Sequence, residues 1–514
     1  MLNALFLTSC VPTRLQRELI AVQEAQQINP KAEYVKIHMH DGGVYVFHQW
    51  TINEKEELIF GVGGYYNANR NKISGNQMGD EPFPVSFGDI ALIETNQAQR
   101  NTPGGVAAFS IFSIPTTIFS IACLADPKAC FGSCPTYYIE KNGEYKLQAE
   151  GFSSSIAPVF EKTDIDRIHM ESLPRQRINL QIKNEALETH VIRFVDLLAY
   201  PLENNNDVYS GINGKFYTVD SVYSPDHCLA QEGSIRELVT GMDDQERFSL
   251  SDSLNLVKKE DIEITFNGIE EGRYGLLIGS RQTLLTTFLF YQALAYLGHS
   301  SSFHFARLET GNKRTKKLVT RMFEILGGID VYLEDDKGRW NYVARNMEMG
   351  PIASDVNMIE LPDILNDSIS IRLKLTQGLW RINYLALARI SDEVDPIRIR
   401  PEKVIHMNQP DTNALVSLLD MDKSLVTFPR DEYYVSYEVP DPGLEYRFFI
   451  ESRGYYYEWM RESWYEEEDP GKYHTMFLFP RYFYRKIAPE YKQRELAMEE
   501  VFWNSRYIQE NATN

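Results

Sequence analysis

Short runs in which apolar and polar residues alternate recur along most of this 514-residue chain, broken by Gly, Asn, Asp and Pro. Successive side chains of a strand point to opposite faces, so this period of two restricts the chain to mainly antiparallel sheets with one buried face. Val35, Ile37 and Met39 alternate with Lys36, His38 and His40 before Asp41-Gly42-Gly43 turns the chain into Val44–Phe47. Residues 57–61 and 85–94 continue that pattern. Tyr137 to Leu147 folds about Asn142-Gly143, a dipeptide suited to the positive φ angles of a two-residue hairpin turn. Further strand-like runs cover 178–182, 190–200, 215–223, 328–333, 359–361, 369–375, 378–387, 435–439 and 446–450.

Four segments read as helical. Residues 11–32 carry Leu15, Leu19, Ile20 and Val22 among polar residues and end at Asn29-Pro30, the pattern of a short tether helix. Leu276 to Gly298 is apolar around most of a helical circumference and predicts a buried helix, with Arg281 and Gln282 asking for internal partners. Residues 313–326 set Lys313, Arg314, Lys316, Lys317 and Arg321 beside Leu318, Val319, Met322 and Phe323, a solvated basic face on an apolar one. Ala488 to Tyr507 is helix-like as well.

The expected fold class is a β-rich α+β multidomain protein: a small amino-terminal β-barrel, a second β domain, and a larger jelly-roll-like sandwich with buried and carboxy-terminal helices. The expected boundaries are a truncated signal over 1–10, a tether over 11–32, the barrel over 33–98 and an apolar segment over 99–125. They continue with a β-rich domain over 126–230, a sandwich-like domain over 254–450 and an aromatic, acidic helical tail over 451–514. A chain of this length supports about three or four domains.

With a net charge of −20, the surface is ill suited to nucleic-acid phosphates or to anionic lipid, so no nucleic acid is expected among the partners. No phosphate-cradling Gly loop, dinucleotide turn, HExxH helix or GxSxG elbow occurs, and no cofactor is expected.

The amino terminus ends in Leu7-Thr8-Ser9-Cys10, which resembles the lipobox of bacterial lipoproteins; Leu5, Phe6 and Leu7 supply a short apolar stretch. Lipidation at Cys10 leaves Cys123, Cys130, Cys134 and Cys228 as disulfide candidates. Gly132 and Pro135 turn the chain between Cys130 and Cys134, compatible with a disulfide, with free buried thiols, or with half of a metal site. The uncharged run 104–122 is nearly long enough to span a membrane, but Pro115 and its hydroxyls suit a buried segment equally.

The motif Cys130-Phe131-Gly132-Ser133-Cys134-Pro135-Thr136-Tyr137 resembles a Cys-Phe-Gly-x-Cys-Pro-x-Tyr signature of uncharacterised Bacteroidota-type envelope lipoproteins. The resemblance implies a cell-envelope address and β-rich domains, and it transfers no catalytic residue.

Trp340, Trp380, Tyr455, Tyr456, Trp459 and Trp464 are candidates for an aromatic ligand platform, against core packing as the plain alternative. Glu458, Glu462 and Glu466–Glu468 stand near those aromatics, and paired carboxylates beside stacking rings are what glycoside hydrolysis requires. His38, His40 and His48 share one hairpin and offer imidazoles for a metal, or simply polar-face filling. The leading expectation is a membrane-anchored, non-catalytic binding or assembly protein with a glycan or an envelope protein as partner. The competing ones are a glycan-active enzyme using carboxylates near 458–468 and an envelope protein spanning the membrane through 104–122.

Overall fold

The computed structural model describes residues 13–100 and 134–511, except 21, 29, 31, 33–34, 40–43, 67–81, 142, 170–175, 187, 203–205, 244, 302–303, 306–307, 309–312, 348–349, 429–430, 459 and 461. Cys10, Cys123, Cys130, His40, Trp459 and the 104–122 run lie outside the described residues. The architecture is β-rich and multidomain with carboxy-terminal helices, as the alternation predicts. Among the described residues no helix is long and apolar enough to cross a membrane.

The amino-terminal unit is a six-stranded antiparallel sheet. Its strand order is Thr13–Ile20, Ile90–Arg100, Val35–Met39, Val44–Asn53, Leu58–Tyr66 and Phe83–Ser86. Ile37, Phe47, Ile59, Val85 and Ile93 fill its apolar side. The helical tether expected over 11–32 is therefore corrected: 13–20 is a strand paired with 90–100, and only Val22–Gln27 is helical, as a 3-10 turn. The physical reason lies in the spacing. Leu15 and Leu19 are four apart, and four is both about one helical turn and an even number, so the pair shares a face in either structure.

The next unit is a sandwich of two sheets. One runs in the order Gln409–Pro410, Lys403–His406, Glu432–Glu438, Arg177–Lys183, Thr136–Lys141, Glu144–Glu150. The other is built on the antiparallel pair Glu188–Pro201 and Tyr446–Glu458, flanked by Ile397–Ile399 and Lys162–Arg167. Ile139, Ile178 and Leu180 of the first sheet meet Ile192, Leu197 and Ile450 of the second in one core.

A second sandwich is inserted between the halves of the first. One of its sheets runs Asp207–Ser210, Phe216–Tyr223, Trp380–Val394, Tyr274–Gln282, Asp355–Glu360. The other runs Gly233–Ser234, His227–Ala230, Lys259–Asn267, Ser368–Thr376, Ile329–Glu334, Trp340–Asn346. Their shared core also takes in the Leu285–Leu297, Lys313–Leu326, Pro470–Leu478 and Pro480–Asn511 helices. Strand pairing thus crosses the expected boundaries at 230, 254 and 450. The 451–514 tail likewise opens with strand, because Tyr446–Glu458 runs through its start. None of those long-range partners is encoded locally.

The buried helix expected over 276–298 divides in two. Tyr274–Gln282 is a strand with every residue buried, and the helix begins at Leu285. A strand covered on both faces loses its alternation and reads like a buried helix. Gly275 and Gly279 mark the difference. A Cβ at Gly275 would sit 2.4 Å from Met358 Sδ, and one at Gly279 2.7 Å from Tyr384 Cβ, separations that only glycine in a crowded sheet avoids.

Buried carboxylates tie the carboxy-terminal helix to this sheet and to the segments beside it. Glu499 accepts the Leu284 N–H at 2.6 Å and Arg381 Nη2 at 2.8 Å, while Glu495 accepts the Ser251 N–H at 2.6 Å. Arg281, whose need for a partner was legible, is held bidentately by Glu246 at 2.7 and 2.8 Å. Removing one member of a buried pair strands the other. Glu499→Ala is expected to lower unfolding stability by about 3–5 kcal/mol in urea denaturation, with the largest loss of signal from the carboxy-terminal helix.

Candidate functional site

The outward face of the Lys259–Asn267, Ser368–Thr376, Ile329–Glu334 and Trp340–Asn346 sheet presents two adjacent rungs. Strand register sets Glu263, Arg372, Tyr332 and Tyr342 side by side, with Trp340 opposite Glu334 one step along. The next rung is Asp261, Lys374, Asp330 and Arg345, charges of alternating sign across four strands. The inward residues Ile262, Ile264, Ile371, Leu373 and Val331 bury against Val319 and Met322 of the Lys313–Leu326 helix. Period two thus leaves the polar and aromatic set on the open side.

Contacts within the aromatic rung order it. Arg372 Nη2 donates to Glu263 Oε1 at 2.6 Å, and its guanidinium carbon lies 4.1 Å from the Trp340 ring centroid. Tyr332 and Tyr342 meet edge to face at 5.7 Å, and Tyr342 is 57% exposed. A guanidinium held between a carboxylate and an indole keeps its planar donors at a fixed height above the sheet. The result is a flat surface with rings for apolar contact and charged groups for hydrogen bonds. Such a surface can stack apolar faces on its rings and exchange hydrogen bonds with its charged groups.

Of the five aromatic candidates among the described residues, Trp340 alone joins this face. Trp380 is 1% exposed and packs in the core of the second sandwich, so it fills space where a platform residue was expected. Tyr455 and Tyr456 are buried in the Tyr446–Glu458 strand, and Trp464 is buried with its ring 5.0 Å from Tyr291. Glu458 is buried at the end of that strand, whereas Glu466 at the end of the Glu462–Glu466 helix and Glu467 and Glu468 just after it are exposed. Tyr332, Tyr342 and Arg372 escaped sequence reasoning, although alternation in 328–333 and 369–375 already assigned Tyr332 and Arg372 to polar faces. What was missing was the register that brings them together.

The Cys turn leads into a sealed polar cluster. The Cys134 N–H donates to Glu188 Oε2 at 2.8 Å, its thiol lies 3.5 Å from Glu150 Oε1, and its φ is +74°. His190 Nε2 is 3.1 Å from the same Glu188 oxygen, and burial pulls that imidazole down to about 3, leaving it neutral. Cys228 is a buried free thiol in the other sandwich, and burial pushes it up to about 12. Of the disulfide candidates, Cys228 forms no disulfide among the described residues. Cys130 and Cys123 lie outside the described residues. His38 is buried and His48 exposed on neighbouring strands, and no group of His, Cys, Asp and Glu suited to a metal occurs among the described residues.

Burial pushes Glu150 up to about 7 although it accepts the Ile352 N–H at 2.7 Å. Burial likewise pushes Asp355 up to about 7, with Asp164 beside it adding repulsion. Both carboxyls hold protons more tightly folded than unfolded, so stability is full below about pH 4, declines toward pH 7 and is level above. Glu150→Gln is expected to flatten that decline by about 3 kcal/mol, measured as unfolding free energy between pH 4 and 8.

No family model matches the chain, and no curated protein matches it. Among solved structures it is similar to a β-porphyranase of glycoside hydrolase family 86 from Bacteroides plebeius, at 11% identity and a TM-score of 0.16, over 44% of this chain and 38% of that one. An α-xylosidase of family GH31 from Xanthomonas citri aligns at 8% identity and a TM-score of 0.14, over 82% of this chain and 37% of that one. A secreted serine protease from Vibrio cholerae aligns at 8% identity and a TM-score of 0.12, over 71% of this chain and 74% of that one. Similarity at this level carries no functional argument.

Proposed function

We propose that this chain is a non-catalytic binding protein of the bacterial cell envelope, anchored through a lipid at Cys10, that holds a glycan on the Trp340–Tyr342–Tyr332–Arg372 face. The observation carrying the reading is the rung itself: the exposed Tyr342, the half-buried Tyr332 and Trp340, and a braced guanidinium on a helix-backed sheet. A pyranose ring has an apolar C–H face and a polar hydroxyl edge. Aromatic faces take the first, and Arg372, Glu263, Glu334 and Lys374 take the second. Asp261, Lys374 and Arg345, the exposed charges of the rung beside it, keep the surface hydrated, so binding is reversible.

The test is retention on a panel of immobilised polysaccharides. Wild-type protein is expected to be retarded by at least one, and Trp340→Ala and Tyr342→Ala each to lose about ten-fold in affinity, about 1.4 kcal/mol. Tyr342 is exposed, so its truncation should leave the melting temperature unchanged. No retention on any matrix, or retention indifferent to both substitutions, refutes the reading. The anchor is checked separately by metabolic labelling with an alkyne fatty acid. Label is expected on the wild type and absent from Cys10→Ala.

A further inference from the structure

Beyond the aromatic rung the same sheet face changes character. Residues two apart on a strand share a face and lie about 7 Å apart, so register orders the outward side chains into successive rungs. Trp340 and Glu334 stand at one end, followed by Tyr342, Tyr332 and Arg372, and then by Arg345, Asp330 and Lys374. Lys259 and Thr376, a register pair, form the next rung. Lys259 Nζ donates to Thr376 Oγ1 and to Leu326 O, each at 2.8 Å, so its amine is held where the Lys313–Leu326 helix ends. The Tyr484 hydroxyl donates to Met322 O at 3.1 Å and brings the start of the Pro480–Asn511 helix to the same place. Arg481 of that helix lies close enough for its charge to act on Lys259.

The cations at this end are not consumed by neighbouring acids. Asp330 is held by Arg345, whose Nη2 donates to Oδ2 at 3.0 Å, and Glu263 is held by Arg372. Among the described residues no carboxylate lies within ion-pair distance of Lys259, Lys374 or Arg481. Asp261, the register partner of Lys374, is exposed and makes no ion pair with it. Lys374 and Arg481 are exposed and Lys259 is half-buried. Burial, with the charges of Arg345, Lys374 and Arg481, pulls the Lys259 ammonium down to about 8 against the attraction of Asp330. A chain of net charge −20 thus gathers three cations without acidic partners at one end of its aromatic face, and an anion bound among them would relieve their repulsion.

We propose that the glycan held on this face is an acidic polysaccharide, with one sugar ring on the aromatic rung and the carboxylate of a neighbouring ring bound by Lys374, Arg481 and Lys259. The inference rests on the glycan reading above and adds the chemical class of the ligand. A guanidinium presents paired N–H donors that match the two oxygens of a carboxylate. Arg481 offers that fork from the border of the sheet, while the two lysines supply point charges. The acidic surface elsewhere repels a polyanion, so retention of one requires this end of the face.

The experiment is affinity electrophoresis of the full chain at pH 7 through gels holding polygalacturonate, alginate or hyaluronan, the methyl ester of each, or dextran sulfate. At least one carboxylated polymer is expected to bind about ten-fold more tightly than its methyl ester, which carries the same sugars without the charge. Lys374→Gln and Arg481→Gln, both at exposed positions, should each lower that affinity about ten-fold and leave the melting temperature unchanged. Affinity should also fall about ten-fold from pH 7 to pH 9 as Lys259 loses its proton, and Lys259→Arg, which keeps the charge, should remove that fall. Equal binding of acid and ester, binding of the acid unchanged in both Gln variants, or tighter binding of dextran sulfate than of every carboxylated polymer overturns this inference. So does failure of every acidic polymer while a neutral polysaccharide is still bound through Trp340 and Tyr342, a result that leaves the glycan reading standing. Failure of acidic and neutral polymers alike overturns both. Should Lys259→Arg fail to fold, the two Gln variants decide the matter alone.

Discussion

The pairing of Glu188–Pro201 with Tyr446–Glu458 is the constraint on which the rest depends. It joins residues more than two hundred positions apart and brackets the whole second sandwich, whose strands run between Asp207 and Val394. Gly454 shows how tightly the two strands and their neighbours fit. A Cβ there would meet Val191 O at 2.4 Å and Phe152 Cζ at 2.7 Å, so only glycine lets the paired strands lie against that ring. Once this pair forms, Tyr456 stands edge-on to His190 and the helices that follow are delivered to the second sandwich.

Polar groups inside the junction give it specificity at a cost in stability. Glu150, Asp164 and Asp355 are buried where carboxylates are poorly solvated, and burial raises each of them above the ordinary carboxyl range. Glu150 binds the Ile352 N–H, Asp355 binds the Arg167 N–H at 3.3 Å, and Asp164 binds the Phe152 N–H at 2.7 Å. Each contact crosses between segments distant in the chain or closes a turn beside them. A hydrophobic junction of the same volume would hold the layers together but would set their register less strictly.

Much of the fold was legible. Alternation in 178–182, 190–200, 369–375 and 435–439 falls on observed strands, and the basic-faced helix of 313–326 occurs at the expected place. The hairpin of Thr136–Lys141 and Glu144–Glu150 is present where it was expected, with Gly143 at φ +86°. What misled was degeneracy of period. The 13–20 strand carries spacings that serve either structure, and the Tyr274–Gln282 strand is buried on both faces and shows no alternation at all. Of the candidate site, Trp340 was named from its chemistry, while Trp380 carried the same chemistry into the core.

Local physics determined what needs only near neighbours: the face each residue of a strand takes, the turns that glycine permits, the amphipathic helix, and a composition that is acidic and aromatic without a catalytic motif. Tertiary structure alone decided which strands are partners. Register across Lys259–Asn267, Ser368–Thr376, Ile329–Glu334 and Trp340–Asn346 is what turns Glu263, Arg372, Tyr332, Tyr342 and Trp340 into one surface. It also decided that Trp340 keeps part of its ring at the surface while Trp380 is sealed in the core. A side chain's burial depends on the strand or helix laid over it, and for Trp380 that cover comes from parts of the chain its own neighbours do not specify.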